Sequence, residues 1–584
     1  MNTLVIVLIA AVVLVCAYAG YGRWLTKTWG VDPNAKTPAV RLEDGKDYVP
    51  TKGWTVFAHQ FSSIAGAGPV TGAIQAAAFG WLPVLLWVLI GGVFFGAVTD
   101  FGALYASVKN DGKSMGLLIE KYIGKTGRKL FLLFCWLFCG IVIAAFADMV
   151  AGTFNAFDAD GAQVEAAFTN GAAGMVSIMF MVFAVVFGFI QKKFNFSGWR
   201  EAVIGIIFIV LSFAIGMNCP LVFGKTAWSY ITFVYIFFAA VLPMWMLKQP
   251  RDYMTTFMFG AMIAGAVIGL LVAHPTMNLP VFTGFNNAKL GTMFPILFVT
   301  VACGAVSGFH SLVSSGTSSK TVENEKDMLK VGYGAMVLES LLAVLALCVA
   351  GAAAAADGTP ASGTPFQIFS RGVAGFFEMF GVPVSIATVF MTMCVSALAL
   401  TSLDAVARIG RMSFQELFSV DDMEHAEGWR KLFCNVYFST FITLVFGFIL
   451  TQIGYANIWP LFGSANQLLS ALVLATLCVF LKVTGRNNKM LFPPLVIMLC
   501  VTFTALVQRL IAMVKAISAA ASTAIPAGET TWGAVFIANG LQLILAVLLI
   551  VLGLNIVFHS VKSYTTCDAP EAKDNAKVTA KANA

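Results

Sequence analysis

The chain has 584 residues, of which 59% are hydrophobic and only 11% charged. A typical soluble protein is about 45–50% apolar and about 25% charged, so these few charges could not cover a soluble fold of this length. The mean hydropathy of +0.84 and the aromatic content of 13% exclude a disordered chain. The composition therefore indicates an all-α polytopic membrane protein that has the lipid bilayer as its solvent.

Apolar runs separated by charged or Gly/Pro-rich breaks predict about fifteen transmembrane helices, because one span needs about 20 apolar residues. The first run has no basic stretch ahead of it, so we interpret it as a retained helix and not as a signal peptide. In chain order the predicted spans are 2–22, 54–79, 81–108, 130–152, 172–191, 201–217, 226–247, 253–273, 292–314, 330–353, 384–407, 432–452, 458–481, 490–514 and 532–558.

The distribution of lysine and arginine tests this count independently, because cytoplasmic loops are enriched in both residues. Alternate loops, beginning with 23–53, hold 31 of the 36 basic residues, and the sides never exchange along the chain. A missed or invented helix would reverse every later loop. The pattern predicts the N-terminus outside and the C-terminus in the cytoplasm. It also accounts for the net charge of +7 without a nucleic-acid partner.

Two of the predicted spans contain residues that an uninterrupted helix avoids. Span 54–79 holds Ser62-Ser63-Ile64-Ala65-Gly66-Ala67-Gly68-Pro69, and span 292–314 holds Gly304-Ala305-Val306-Ser307-Gly308-Phe309-His310-Ser311. Glycine permits non-helical dihedral angles, and proline lacks an N–H and clashes with the preceding turn. Glycines that only allow close helix packing are the alternative. Two breaks in oppositely directed spans are typical of an inverted-repeat secondary transporter.

The predicted organisation follows from these two broken helices, each of which opens a block of seven spans. No residue-level repeat is present, so the inverted symmetry rests on topology alone. The predicted parts are an N-terminal helix and cytoplasmic loop at 1–53, a first half at 54–291, a second half at 292–564 and a disordered cytoplasmic tail at 565–584.

Several strings in these segments carry a family resemblance. They are His59 to Pro69 with Gly80-Trp81-Leu82-Pro83 after it, Asp100-Phe101-Gly102, Ser307 to Thr317, and Trp459 to Leu469. Together they resemble the carbon starvation protein A (CstA) family of the amino acid–polyamine–organocation superfamily, from about residue 50 to 485. The resemblance implies a LeuT-like core in the bacterial inner membrane. It also implies uptake of peptides or of pyruvate with a coupling cation.

The resemblance leaves the repeat open and shows two departures. The superfamily core is a five-plus-five repeat with four helices between its broken helices, whereas six are predicted here. Either one hairpin is inserted or the repeat is seven-plus-seven. Ala73 stands where the family's second Gly-Pro is expected, and Thr99 stands where relatives often carry His or Gln.

The substrate site is expected at the two breaks. A broken helix offers free N–H groups and a positive dipole end to a carboxylate, and free carbonyls to a cation. The alternative for His59 and His310 is a purely structural role, as buried histidines whose hydrogen bonds are satisfied by the protein. Replacing Gly66 or Gly308 with leucine is expected to abolish uptake in a folded protein. The predicted substrate-binding residues are Ser62, Ser63, Gly66, Ala67, Gly68, Ser307, Gly308 and His310.

Two coupling ions remain open. The resemblance implies a Na⁺ site in which Thr401 and Ser402 join the carbonyl of Ala65 or Gly66. The alternative is that these hydroxyls bond back to their own helix, as is common. Proton coupling is the rival, because ionisable groups inside spans are functional suspects. Glu339, deep within its span, is the foremost proton carrier, ahead of His310. The other ionisable candidates are Asp100, Asp148, Asp404, Arg509 and His59. Asp100, Asp148 and Asp404 lie near predicted span ends, where solvation or helix capping is the alternative. Asn466-Gln467 forms either another polar break or a buried amide pair. No cofactor beyond the coupling ion is predicted.

Other classes of function fit less well. The zinc motif His-Glu-x-x-His is absent, and Ser307 with His310 has no orienting acid nearby, so an intramembrane hydrolase is disfavoured and the protein is predicted not to be an enzyme. A passive channel or a transport-derived sensor stays as the alternative to a carrier. The sequence predicts cation-coupled uptake of a small carboxylate such as pyruvate, or of small peptides, and carries no signal for an oligomeric state.

Overall fold

The computed structural model describes residues 2–45, 47–158, 160–194, 198–243, 245–288, 290–420, 427–522 and 532–567. This part of the chain is mostly helical. The strands found within it form one short antiparallel hairpin, β1 (Asn286–Asn287) with β2 (Gly291–Thr292).

Helices α1 to α13 precede this hairpin. A π-helical turn at Tyr18–Gly22 joins α1 to α2, and another at Gly92–Gly96 joins α6 to α7, so that each pair forms one continuous rod. The bounds are α1 Thr3–Ala17, α2 Arg23–Trp29, α3 Pro38–Arg41, α4 Gly53–Ile64, α5 Gly68–Ala76, α6 Trp81–Gly91, α7 Ala97–Val108, α8 Met115–Tyr122, α9 Lys125–Phe154, α10 Ala167–Phe194, α11 Trp199–Asn218, α12 Lys225–Val241 and α13 Lys248–Ala273.

Helices α14 to α23 follow the hairpin. The last of them reaches two residues into the predicted tail 565–584, and residues 568–584 of that tail lie outside the described part of the chain. The bounds are α14 Met293–Thr300, α15 Gly308–Gly316, α16 Ala335–Ala353, α17 Pro365–Glu378, α18 Val384–Phe418, α19 Gly428–Phe433, α20 Val436–Thr451, α21 Tyr455–Val483, α22 Phe492–Ser522 and α23 Trp532–Thr566.

Eleven helical stretches in the described residues are long and apolar enough to cross a membrane. Two shorter apolar helices, α12 and α20, coincide with the predicted spans 226–247 and 432–452. The predicted spans 54–79 and 292–314 each consist of two short helices, α4 with α5 and α14 with α15. Helices therefore occupy every predicted segment, while the number of fifteen crossings stays a prediction.

Burial separates central helices from peripheral ones. The most apolar window of α21 is 100% buried and that of α9 is 83% buried, whereas the corresponding window of α11 is only 17% buried. Complete burial of this kind is typical of a core helix that is apolar on every side. Both α14 and α15 pack against α21. The large apolar side chains that α1 and α11 expose, such as Leu8 and Val210, match a lipid environment.

The predicted loop 248–252 is wrong, because its two basic residues are buried in the first turn of α13. Lys248 is 7% exposed and Arg251 is fully buried. Lys248 pairs with Asp252 at 2.7 Å, and Arg251 pairs with Asp404 on α18. The sequence did not reveal this burial, because basic residues beside an apolar run look like cytoplasmic loop charges. The acidic partner of Arg251 lies 153 residues away in the sequence.

Helix α17 lies in the connection between the predicted spans 330–353 and 384–407 and was not predicted. It begins with a capping box, in which the Gln367 N–H donates to the Thr364 hydroxyl at 3.3 Å. The Thr364 N–H in turn donates to the Gln367 side chain at 3.0 Å. The string Thr364-Pro365-Phe366-Gln367 is a recognisable helix start, so the signal was present in the sequence.

Candidate substrate and proton site

The first interruption separates α4 from α5. Helix α4 ends at Ile64, Ala65 leaves the helical region with ψ of 64°, and α5 begins at Gly68. Pro69 sits in the first turn of α5, where its missing N–H costs no hydrogen bond. The Gly66 N–H donates to the Ile64 carbonyl at 2.7 Å, which closes a tight turn instead of continuing the helix.

The second interruption separates α14 from α15 and is filled by donors from the protein. Helix α14 ends at Thr300 and α15 begins at Gly308. The last carbonyls of a helix need partners, and neighbouring side chains supply them. These hydrogen bonds are Trp459 Nε1 to the Thr300 carbonyl at 3.2 Å, Trp87 Nε1 to the Val301 carbonyl at 3.3 Å and Gln467 Nε2 to the Phe298 carbonyl at 2.7 Å.

Asn466 on α21 caps the start of α15. Its Oδ1 accepts the Phe309 N–H at 3.1 Å, and its Nδ2 donates to the Ser307 hydroxyl at 3.0 Å. The same Nδ2 lies 3.4 Å from the Cys303 sulfur. Sequence reasoning placed Asn466 and Gln467 in a polar break or a buried amide pair. The structure shows both amides serving the ends of α14 and α15.

A small cavity adjoins the first break. Its volume is about 20 Å³, which is room for about one water molecule, so the centre is closed in this conformation. The polar and small residues in its lining are Gly66, Gly68, Cys303, Ser402 and Asn466.

The predicted substrate residues therefore divide into groups. Gly66 and Gly68 line the small cavity, and Ala67 is buried between them. Ser63 and His59 line a second, larger cavity of about 200 Å³, the vestibule. The Ser62 hydroxyl donates to the His59 carbonyl at 3.1 Å. The remaining three, Ser307, Gly308 and His310, lie on the buried start of α15.

His310 joins two buried acids. Its Nδ1 lies 3.0 Å from Asp100 Oδ2, and its Nε2 lies 3.3 Å from Glu339 Oε2. All three side chains are fully buried. Asp100 Oδ1, His310 Nε2 and both carboxylate oxygens of Glu339 have no hydrogen-bond partner within the described residues, so Glu339 approaches His310 without a hydrogen bond to it. The structure thus brings together three predicted candidates from α7, α15 and α16, and it buries Asp100, which the sequence placed near a span end. The expectation that His310 has no acid nearby was wrong. The Ser307 hydroxyl donates to Asn466 Oδ1 at 3.2 Å.

The side chains of Thr401 and Ser402 contact different groups. The Thr401 hydroxyl donates to the Ala397 carbonyl at 2.8 Å and accepts a hydrogen bond from Arg251. Ser402 lies against Gly66 at the first break. A guanidinium already bonded to Thr401 opposes a cation at that oxygen.

Asp404 belongs to a buried network and not to the solvated span end that the sequence suggested. It is 1% exposed and pairs with Arg251. The Tyr235 hydroxyl donates to its Oδ2 at 2.9 Å. By contrast, Asp148 forms an ion pair with the half-exposed Lys225 at 2.8 Å, and Arg509 donates to Gln542 at 2.7 Å.

The two glycines that were expected to tolerate leucine differ in their surroundings. A Cβ at Gly66 would meet Ser402 Oγ, which can rotate away. A Cβ at Gly308 would lie 2.5 Å from the Ser470 amide nitrogen and 2.6 Å from the Asn466 carbonyl oxygen, neither of which can move independently of its helix. Replacement of Gly308 in a folded protein is therefore an expectation that the structure contradicts.

We expect Gly66→Ala to fold normally and to reduce uptake at least about tenfold, because the added methyl group occupies a cavity that holds about one water. Gly308→Ala should instead lower stability by about 1–3 kcal/mol, the usual cost of overpacking. Proteoliposome uptake and thermal unfolding of both variants measure this. Normal uptake by a folded Gly66→Ala protein would remove the small cavity from the transport path.

The class of the protein follows from these features. Eleven apolar helices long enough to cross a bilayer define a multi-pass membrane protein, and its centre is built from two interrupted helices. The family model for carbon starvation protein CstA matches residues 2–359 and 351–505. The chain belongs to the carbon starvation protein CstA family, as the motifs predicted.

Relatives and one solved structure give the extent of the similarity. The peptide transporter CstA of Escherichia coli (strain K12) is 31% identical over 582 residues, with 86% of this chain and 80% of that protein covered. The pyruvate/proton symporter BtsT of the same organism is 36% identical over 364 residues, covering 60% of this chain and 49% of that protein. A crystal structure of the Eremococcus coleocola manganese transporter with an aromatic bis-isothiourea substituted compound aligns with a TM-score of 0.47. The alignment has 10% identity and covers 89% of this chain and 99% of that one.

Proposed function

We propose that this protein is a proton-coupled secondary transporter that takes up a small carboxylate such as pyruvate by alternating access. The observation that carries the proposal is the buried chain of Asp100, His310 and Glu339. Ionisable groups in the membrane interior are expensive and persist where a proton or an ion must pass. His310 lies in the first turn of α15, so its protonation acts directly at the second helix break.

Proton coupling is favoured over sodium coupling by the contacts of Thr401. Its oxygen already receives a hydrogen bond from Arg251. The carbonyls at the end of α14, which a cation would otherwise use, accept hydrogen bonds from Trp459, Trp87 and Gln467. The Ala65 carbonyl with Ser402 remains the sodium alternative, and an imposed sodium gradient tests it.

A small carboxylate is favoured by the chemistry of the first break, whose cavity is closed in this conformation. Gly66 and Gly68 line that cavity. Gly68 opens α5, and the first N–H groups and positive dipole end of this helix favour an anion. The name of the relative BtsT, a pyruvate/proton symporter, supports this substrate and this ion. The relatives named peptide transporter CstA favour small peptides as the second candidate.

The proposed architecture has fifteen crossings in the bacterial inner membrane, with the N-terminus outside and the C-terminus in the cytoplasm. Its core is an inverted repeat in which α4 with α5 and α14 with α15 are the broken helices. Their packing supports this pairing, since a Cβ at Gly72 on α5 would lie 2.6 Å from the Thr300 carbonyl oxygen at the end of α14. A five-plus-five core with an inserted hairpin and a seven-plus-seven repeat both fit these contacts.

The test uses purified protein in proteoliposomes with labelled pyruvate or labelled glycylglycine. We expect an inward proton gradient to drive saturable pyruvate accumulation and a sodium gradient alone to have no effect. Counterflow of pre-loaded pyruvate should accelerate uptake, which a passive channel cannot do. Sodium-driven accumulation would overturn proton coupling, preference for glycylglycine would overturn the substrate, and absence of flux for both would favour a sensor.

A further inference from the structure

A vestibule of about 200 Å³ lies beside the small cavity at the first break. The same four helices line both spaces. The vestibule is lined by Ser63 on α4, Cys135 on α9, Leu312 on α15 and Arg408 on α18. The small cavity is lined by Ile64, Phe138, Phe309 and Ser402 of the same helices. The vestibule therefore lies next to the first helix break along these helices.

Arg408 supplies the vestibule with a positive charge. Its Nη2 donates to the Ala239 carbonyl and, at 2.8 Å, to the Leu242 carbonyl at the end of α12. Its Nε is buried and has no hydrogen-bond partner among the described residues. A buried guanidinium N–H without a partner is costly. A ligand carboxylate is the natural group to remove that cost.

The other charges in the vestibule already have partners. Lys248 pairs with Asp252 at 2.7 Å. Glu416, the carboxylate in the lining, lies 3.4 Å from Arg128 Nη2. Arg408 therefore determines the sign of the net charge in the vestibule. His59 and Ser63, which also line the vestibule, add polar side chains.

We infer that the vestibule is a second carboxylate-binding site, anchored by Arg408 and assisted by Ser63 and His59. The site rests on the proposed function in that it lies on the route of the transported carboxylate. It holds the substrate between the helix break and the aqueous phase. Carboxylate in the aqueous phase next to the vestibule should occupy this second site and slow net uptake.

The chain offers a matched control for Arg408. Arg411, one turn further along α18, donates to the Ala240 carbonyl at 3.2 Å and so caps the same end of α12. Its Nε also lacks a hydrogen-bond partner among the described residues, but Arg411 does not line the vestibule. Arg408→Gln and Arg411→Gln therefore remove similar helix-capping contacts, and only the first removes the charge from the vestibule.

The experiment places a reporter thiol in the lining by the substitution Met412→Cys, at a position that is 48% exposed. Peptide-resolved mass spectrometry on the full-length protein measures how fast this thiol is modified. The two reagents compared are a negatively charged and a positively charged methanethiosulfonate. We expect the anionic reagent to react at least about fivefold faster, because one unit charge at close range changes a rate by about that factor. Arg408→Gln should abolish this preference, and Arg411→Gln should retain it.

Protection by ligands tests recognition of the carboxylate itself. Pyruvate should slow modification of the reporter by a neutral maleimide, while methyl pyruvate, which lacks the charge, should not. Protection by glycylglycine would also support the site, since it presents the same group. Equal rates for the two charged reagents, a preference unchanged in Arg408→Gln, equal protection by methyl pyruvate, or an unreactive reporter would each overturn the inference.

These outcomes are separable from failure of the proposed function. The reporter measurements need no gradient, so Arg408-dependent protection in a protein that lacks proton-driven uptake would retain the site and reject the coupling. Proton-driven uptake without any protection would reject the site alone.

Discussion

Replacing Glu339 with glutamine is expected to abolish proton-driven accumulation while leaving exchange of substrate intact. Glutamine keeps the shape of the side chain and its contact with His310 but cannot release a proton. Exchange needs only the movement of the loaded carrier, whereas accumulation needs loading and unloading of the proton. Uptake into proteoliposomes under an imposed pH gradient, compared with counterflow at equal pH, separates the two. We expect at least about a hundredfold loss of gradient-driven uptake, about 2.7 kcal/mol of lost coupling.

Companion variants locate the effect within the chain of three residues. Asp100→Asn and His310→Gln should show the same split. The first removes the titratable carboxylate 3.0 Å from His310 Nδ1, and the second removes the imidazole that contacts both acids. Glu378→Gln, at the exposed end of α17, is the control for a lost carboxylate and should behave as wild type. If Glu339→Gln accumulates substrate with the usual dependence on external pH, the proton passes elsewhere.

The membrane segments and their breaks could be predicted because the signals are local. A span reveals itself through about 20 consecutive apolar residues, and helices occupy each of the segments predicted in this way. The interruptions also have a local cause in glycine and proline. Both predicted breaks coincide with gaps between short helices, at 65–67 and at 301–307.

The contacts at the site could not be predicted in the same way because they are long-range. The sequence nominated Asp100 and Glu339 from the cost of charge in a span, and His310 as a substrate-binding residue in the second break. Their meeting depends on how α7, α15 and α16 pack. Asn466 was recognised as polar, but its role as a cap for α15 depends on α21 lying beside the second break.

Arg251 shows where a sound rule misleads. Its position at the edge of an apolar run satisfies the positive-inside pattern, and counting it as a loop charge did not disturb the side assigned to any loop. Burial of an arginine is tolerated only with a compensating acid. That acid, Asp404, was nominated separately as a coupling residue. Its pairing with Arg251 and Tyr235 favours a structural role instead.

Breaking the ion pair between Arg251 and Asp404 is expected to cause a large loss of stability. Arg251→Met leaves Asp404 buried with one hydrogen bond, from Tyr235, and removal of one partner of a buried pair costs about 3–5 kcal/mol. Asp404→Asn should be similarly damaging, because the guanidinium then remains buried and uncompensated. Arg371→Met, at an exposed arginine that contacts backbone carbonyls, serves as the control and should lower stability by less than about 1 kcal/mol.

The double variant Arg251→Met with Asp404→Asn distinguishes loss of the pair from loss of packing. It removes both charges, so it should inactivate more slowly than either single variant. In a double-mutant cycle of inactivation half-lives, the double variant should last at least about thirtyfold longer than additive losses would give, which corresponds to about 2 kcal/mol of activation free energy. Thermal unfolding in detergent, followed by loss of the monodisperse peak, ranks the four proteins by inactivation half-life, because membrane proteins of this size often unfold irreversibly. Additive losses in the double variant would mean that the ion pair contributes nothing beyond the packing of its two side chains.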